Sequence, residues 1–218
     1  MVRKTKGESQ ATYDALLDAA EVEFAAKGVT RTTLNDVACA AGVTRGAIYW
    51  HFKDKGALFK AMCDRVFLPM QALLHEVTTA VSTAPSIDPL AALRHLMLHM
   101  LMQVANDTRQ RTVFDIMFHR CEKNEEMAFL INEREKRGEC LSRLELLLRE
   151  AVSQKILPEA TDTAVAVQAL NAYLIGLIYE WLVDPTAYEL SRHAGTMIDI
   201  FLAGLIARPP LTSPVDIA

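Results

Sequence analysis

TLNDVACAAGVTRGAIYWHFKDK, from Thr33 to Lys55, reads as two short helices joined by a tight turn. Thr33 precedes an apolar-periodic run, and Asp36 stands at its third helical position, the spacing at which two side chains cap each other's backbone amides. That places a helix over 34–41, ended by Gly42. Thr44 caps the next, about 45–51, and Asp54 caps a longer one running to about Thr79. Two helices meet at such a turn only if the residue facing the second is tiny and the turn residue tolerates unusual backbone angles. Ala38 meets the first condition and Gly42 the second. Leu34, Val37, Val43 and Ile48 then pack between the helices, while Phe52, Leu58 and Phe59 lock the unit onto the fourth helix.

This packing leaves Arg45, Gly46, Tyr49 and Trp50 outside on the third helix, with His51 at its end. Arg45 and Tyr49, four apart, share a face. The third helical position is Ala47 rather than an acid, so the first amides and the helix dipole remain open to phosphate. Gly46 removes bulk where a backbone would approach DNA, and Lys55 is placed to reach a flanking phosphate. Two adjacent aromatics beside an arginine fit sugar, phosphate and thymine methyls in a major groove. The plainer alternative is a packed helical hairpin with a few surface aromatics.

Outward from this segment the pattern stays helical, without the alternation that marks strands. The first helix spans about 10–27, with Leu16, Leu17, Ala20 and Phe24 on one stripe and Gly28 as its stop. Residues 82–89 form a turn-rich loop. Further helices fall near 89–105, 107–120, 125–154, 162–183 and 191–206, punctuated by Pro158, Pro185 and Pro209–Pro210. Pro69 falls inside the fourth helix, where it removes a hydrogen bond to Arg65; a kink or hinge and an early end to the helix are both open. After Lys55 short capped helices give way to long apolar ones, which puts the functional boundary between 1–55 and 56–218.

A net charge of −4 seems wrong for a nucleic-acid binder until it is divided. Residues 1–55 carry eight Lys+Arg against seven Asp+Glu, and the remainder fifteen against twenty. Asp14, Asp18, Glu21 and Glu23 belong to the first helix, whereas Arg3, Lys4, Lys6, Arg31, Arg45, Lys53 and Lys55 lie in the tail and around the turn. Charge attraction is screened beyond about 8–10 Å, so local charge decides. Cys39, Cys63, Cys121 and Cys140 lie far apart, as expected of reduced thiols in a cytosol. With no signal-type segment and no uninterrupted apolar run of membrane-spanning length, a cytoplasmic chain with no membrane partner is expected. His95 and His99 are four apart without a completing ligand, and His119 and Cys121 read as packed residues, so no metal is expected. Glu133 to Arg137 reads as a solvated helix face of alternating charge. There is no G-x-S-x-G, no phosphate-cradling glycine loop and no acid–base dyad; neither an enzyme nor a cofactor is expected.

The run GVTRGAIYWHFKDK (Gly42 to Lys55), preceded by TTLNDVA (Thr32 to Ala38), resembles the TetR/AcrR family of transcriptional repressors. VRKTK (Val2 to Lys6) and FHRCE (Phe118 to Glu122) resemble its multidrug-efflux, AcrR/TtgR-like branch. The likeness is strong over about the first 60 residues and beyond them is mainly a matching helix pattern. It implies an all-α fold of about nine helices: an N-terminal three-helix helix-turn-helix domain and a C-terminal domain for ligand binding and dimerisation. It further implies a homodimer on a pseudo-palindromic double-stranded operator, released by a small hydrophobic or drug-like inducer and controlling an efflux operon. Thr33, Thr44, Arg45, Gly46, Tyr49, Trp50, His51 and Lys55 inherit DNA-contact roles by that resemblance.

The C-terminal part offers an adaptable lining. Met97 and Met100 are three apart, Met117 adjoins Phe118, and Met70 lies in the fourth helix; methionine repacks around varied guests. Asp115, Gln168 and Asn171 could read polar parts of a ligand. The resemblance implies a wall of Val66, Met97, Met100, Asp115, Phe118, Asn171, Leu174 and Ile175, each of which could equally be plain core. The last two helices are apolar on more than one side, which calls for cover by a partner subunit through a four-helix contact or, alternatively, burial within one subunit. Gly176 would let two backbones approach closely. The rival class is a small helical enzyme or metal-dependent carrier with a helix-turn-helix-like start.

Overall fold

A computed structural model describes residues 6–122 and 129–212, apart from the side chains of 129–137. The basic residues Arg3 and Lys4 and the alternating charges of Glu133 to Arg137 therefore lie outside what is described. Among the described residues the chain is all-helical: α1 (Lys6–Lys27), α2 (Leu34–Ala40), α3 (Arg45–His51), α4 (Lys55–Thr83), α5 (Pro89–Asn106), α6 (Thr108–His119), α7 (Phe129–Ser153), α8 (Thr163–Val183) and α9 (Leu190–Ala207). A single isolated bridge joins Thr161 to Leu211.

The boundaries follow the local signals, with three differences. α1 begins four residues before the expected Gln10, at Lys6, and an added side-chain bond, Thr12 Oγ1 to the Glu8 carbonyl at 2.8 Å, lies in its opening turns. α4 continues to Thr83 rather than ending near Thr79, and the loop before α5 shrinks accordingly. α4 also continues past Pro69, so an early stop there is excluded. Proline deprives the Arg65 carbonyl of its helical donor, yet Pro69 is exposed, where water can replace the lost bond. Burial at Met62, Val66, Leu74, Thr78 and Val81 keeps helical spacing on both sides of it.

The chain divides into two compact units, Met1–Leu68 with Thr108–Glu133, and Pro69–Asp107 with Arg134–Ala218. In the first, α1 packs on α2 and α6, and α2 on α3. Leu16, Leu17, Ala20, Phe24, Val37, Ile48, Leu58, Phe59 and Met62 are buried together, with Phe24 and Phe59 rings 5.8 Å apart. Gly28 and Gly42 both have positive φ, 81° and 66°, the conformation that stops α1 and turns the chain after α2.

In the second unit α5, α8 and α9 pack on one another. Leu93, Met97, Leu101, Leu170, Ile178, Ala194 and Ile198 are buried there, and Tyr173 stacks on Phe201 while donating to the Met197 carbonyl at 2.8 Å. Among the described residues α8 is the one helix that by length and composition could cross a membrane, with a mean hydropathy of 1.3 in its most apolar window. Its buried face lies instead against α5 and α9, and Asp162 caps its first turn by accepting from the Val165 amide at 3.0 Å.

Candidate nucleic-acid interface

The two short helices are built as their capping residues require. Thr33 Oγ1 accepts from the Asp36 amide at 3.2 Å, and the Asp36 carboxylate accepts from the Thr33 amide at 2.9 Å and its hydroxyl at 2.6 Å. Those bonds from Thr33 hold the Asp36 carboxyl below its ordinary range. Across the turn the Val43 amide donates to the Ala38 carbonyl at 2.9 Å, an approach that the small Ala38 side chain permits. Thr44 Oγ1 accepts from the Ala47 amide at 3.2 Å and starts α3.

With Ile48 wholly buried on one side, α3 turns its other face outward. Trp50 is 74% exposed and Tyr49 48% exposed, and Arg45 and Gly46 are exposed beside them. The Arg45 guanidinium lies 5.5 Å from the Tyr49 ring centroid, and His51, half-buried, meets the Trp50 ring edge-on at 4.6 Å. Thr33 and Thr44 are exposed at the starts of α2 and α3, so seven of the eight expected contact residues lie at the surface of these helices. Lys55 differs: its ammonium donates to the Thr30 carbonyl at 3.0 Å and ties the start of α4 to the loop after α1.

The two glycines here answer different needs. Gly42 has positive φ, so a side chain there is strained. At Gly46 a Cβ would meet nothing nearer than Thr44 Oγ1 at 3.9 Å, so the fold does not demand glycine.

Residues of the same unit that sequence reasoning passed over support this surface from behind. Tyr13 on α1 stacks on Phe52 at 5.1 Å and meets His51 at 5.7 Å, and burial, then Asp64 and Asp14, push its hydroxyl pKa up. Thr32 is fully buried and donates to the Gly28 carbonyl at 2.8 Å. Asp18 and Glu21 of α1 accept from Arg65 of α4 and Arg109 of α6. Burial lowers the Arg65 pKa, but hydrogen bonds and charge from Glu21 and Asp18 more than offset it and leave it raised. The signal was available: positions 18 and 21 lie one turn apart beside the buried stripe 17, 20, 24, but which cations they meet depends on the tertiary fold.

The residues expected to meet a ligand divide between the units. In the first, Val66 is buried, whereas Asp115, Met117 and Phe118 are half-buried on α6. Asp115 accepts from His119 Nδ1 at 2.9 Å and lies 3.6 Å from Arg120 Nε, and Phe118 sits 5.8 Å from Phe114. In the second, Met97 and Leu174 are buried, and Met70, Met100, Asn171 and Ile175 are half-buried. Among the described residues no group of three or more His, Cys, Asp or Glu is placed to hold a metal.

α8 is not enclosed within its own chain. Val165, Ala169, Ala172, Gly176, Tyr179 and Val183 are exposed at intervals of three or four along it, and Ile200, Ala203 and Ala207 are exposed on α9. Burial within one subunit is thereby overturned for this face.

Residues 16–62 match the family described as bacterial regulatory proteins, tetR family, and residues 88–206 match the C-terminal region of MAATS-type transcriptional repressors. The chain is 36% identical over 217 residues to the HTH-type transcriptional regulator AcrR of Shigella flexneri, covering 98% of each. It is similar in structure to NalD, the secondary repressor of the MexAB-OprM multidrug efflux pump in Pseudomonas aeruginosa, with a TM-score of 0.77, 32% identity, and 91% and 98% of the two chains covered. A complex of SmeT with triclosan matches with a TM-score of 0.77 and 32% identity, covering 94% of this chain and 99% of that one.

Proposed function

The chain belongs to the tetR family of bacterial regulatory proteins, and we propose that it is a repressor that a small hydrophobic, drug-like ligand releases from the operator of a multidrug-efflux operon. The observation that carries the DNA-binding part is the outward face of α3, where Arg45, Tyr49 and Trp50 stand exposed over a buried Ile48. A soluble domain gains nothing by exposing two large aromatics unless they meet a partner, and a major groove supplies sugar, thymine methyl and phosphate to such a set. Residues 1–55 read DNA, through Thr33, Thr44, Arg45, Gly46, Tyr49, Trp50 and His51, with Lys55 bracing the loop before α2. A DNA regulator of this kind works in the cytoplasm.

Residues 56–218 receive the ligand and a second copy of the chain. The exposed small-and-apolar stripe of α8 and α9 is suited to close packing against its symmetry mate, and a homodimer suits a pseudo-palindromic duplex whose half-sites lie about 34 Å apart. Half-buried Asp115, Met117 and Phe118 in one unit, and Met70, Met100, Asn171 and Ile175 in the other, are the side chains proposed to respond to ligand; the buried Val66, Met97 and Leu174 belong to the same set. NalD's role as a repressor of a multidrug efflux pump and the triclosan bound to SmeT support the ligand class.

The test is binding to DNA upstream of the chain's own operon, followed by titration with triclosan. Specific binding should fall by about a thousandfold or more between about 50 and 200 mM salt, as release of phosphate counterions requires. Binding indifferent to salt, or none at micromolar protein, overturns the repressor. DNA binding that triclosan and related hydrophobic drugs leave unchanged overturns the ligand class alone.

A further inference from the structure

In the DNA-reading unit, one carboxylate is shared by two helices that are remote in sequence. Glu21 of α1 is 8% exposed, and its two oxygens face different arginines: Oε1 accepts from Arg65 Nη2 of α4, and Oε2 from Arg109 Nε of α6 at 3.2 Å. Asp18, one turn earlier, lies 2.9 Å from Arg65 and accepts from Arg109 at 2.7 Å. At its far end α6 is joined to the same region again, because the Arg120 carbonyl accepts from the Val29 amide at 2.9 Å in the loop that leads to α2. α6 therefore holds α1 by a charge cluster at its first turn, and the residue after its last turn holds the loop that follows α1.

Apolar side chains would hold three helices together equally well, and taking Glu21 and much of Arg65 out of water to do so carries a desolvation cost. What a charge cluster adds is direction: a guanidinium and a carboxylate accept only a narrow range of mutual placements. We propose that Glu21 is a positioning residue for operator binding, fixing α1, and with it α2 and α3, in the one orientation toward α4 and α6 that fits the duplex. The inference deepens the repressor reading and rests on it. A ligand that acts on α6, where Asp115, Met117 and Phe118 lie, would reach the recognition helix through this cluster.

The experiment uses the full-length protein and DNA from upstream of its own operon. Operator affinity is measured by fluorescence anisotropy at several salt concentrations for wild type, Glu21→Gln, Arg109→Met, the double variant and Arg109→Lys, with thermal unfolding alongside. Each neutralising single should weaken operator binding about tenfold with the salt slope unchanged, because no phosphate contact is lost. The double should be no worse than either single, since both break one cluster, and Arg109→Lys should recover part of the loss. Wild-type affinity in the folded fraction of both singles, or losses that add, overturns the inference. If Glu21→Gln does not fold, Arg109→Met and Arg109→Lys decide between the same outcomes, because Arg109 is 47% exposed and dispensable to the core. A wild type that binds no DNA specifically removes the repressor reading itself, and this inference with it.

Discussion

The two compact units are held together by different means. The first relies on specific polar and backbone devices: reciprocal caps at Thr33 and Asp36, positive-φ glycines at 28 and 42, and a four-charge cluster around Glu21. The second rests on long apolar helices, with α5, α8 and α9 packed face to face, and still leaves Val165, Ala172, Gly176 and Ile200 uncovered. A unit that must present a few side chains at fixed positions needs each turn specified. A unit proposed to receive a ligand and a second copy of the chain needs apolar surface that can repack.

The largest effect should come from the second unit's uncovered stripe. Gly176→Arg or Ile200→Glu puts a charge at positions that are exposed in one chain, Ile200 at 65%, and so should leave the helical content unchanged. In a dimer the same charge would be desolvated without a partner, raising the dissociation constant by about a hundredfold or more. Light scattering should show monomers, and operator binding should fall with them. A variant that remains dimeric moves the interface elsewhere.

Substitutions on α3 should be smaller in effect and confined to DNA. Arg45→Ala and Tyr49→Ala should each cost about 1–3 kcal/mol of operator affinity with dimer and melting temperature intact. If either unfolds the protein instead, the side chain serves the core and the contrast between the units fails at its most exposed point.

The paired glycines sharpen the contrast within the first unit. Gly42→Ala should destabilise by about 1–2 kcal/mol, because its φ of 66° is unfavourable for any residue with a Cβ. Gly46→Ala, inside a helix with room for the added methyl, should stabilise by up to about 1 kcal/mol yet weaken operator binding. Unaltered binding in Gly46→Ala would mean that DNA does not approach this backbone closely.

What could be read in advance follows the same division. Caps, glycine stops and the buried side of α3 were legible because each depends on neighbours within a few residues, and the exposed aromatic pair followed by subtraction. The Glu21 cluster was not, since Arg65 and Arg109 lie 44 and 88 residues away and only the tertiary fold brings them together. Lys55 illustrates the same limit, as its bond to the Thr30 carbonyl, 25 residues away, could not be read from the sequence. Pro69 left two outcomes open from sequence, and the buried stripe that continues past it removes the early stop. The α8 stripe was legible as excess apolar surface, but which residues stay uncovered required the packing of α5 and α9.

The smallest expected effect concerns Asp36. Bonds from the Thr33 hydroxyl and amide hold its carboxyl below the ordinary 3.8, so its ionised form is favoured in the folded chain. A depressed pKa contributes stability that is fully present above the unfolded value and disappears as pH falls through the folded one. Asp36→Asn should therefore melt below wild type near neutral pH, and the gap should close as pH falls through the ordinary carboxylate range and then through the lower folded value. Melting curves across that range check it. A gap that persists in acid would mean that the charge is incidental and that α2 is held by the burial of Leu34 and Val37, in which case local capping is not what distinguishes the reading unit from its apolar counterpart.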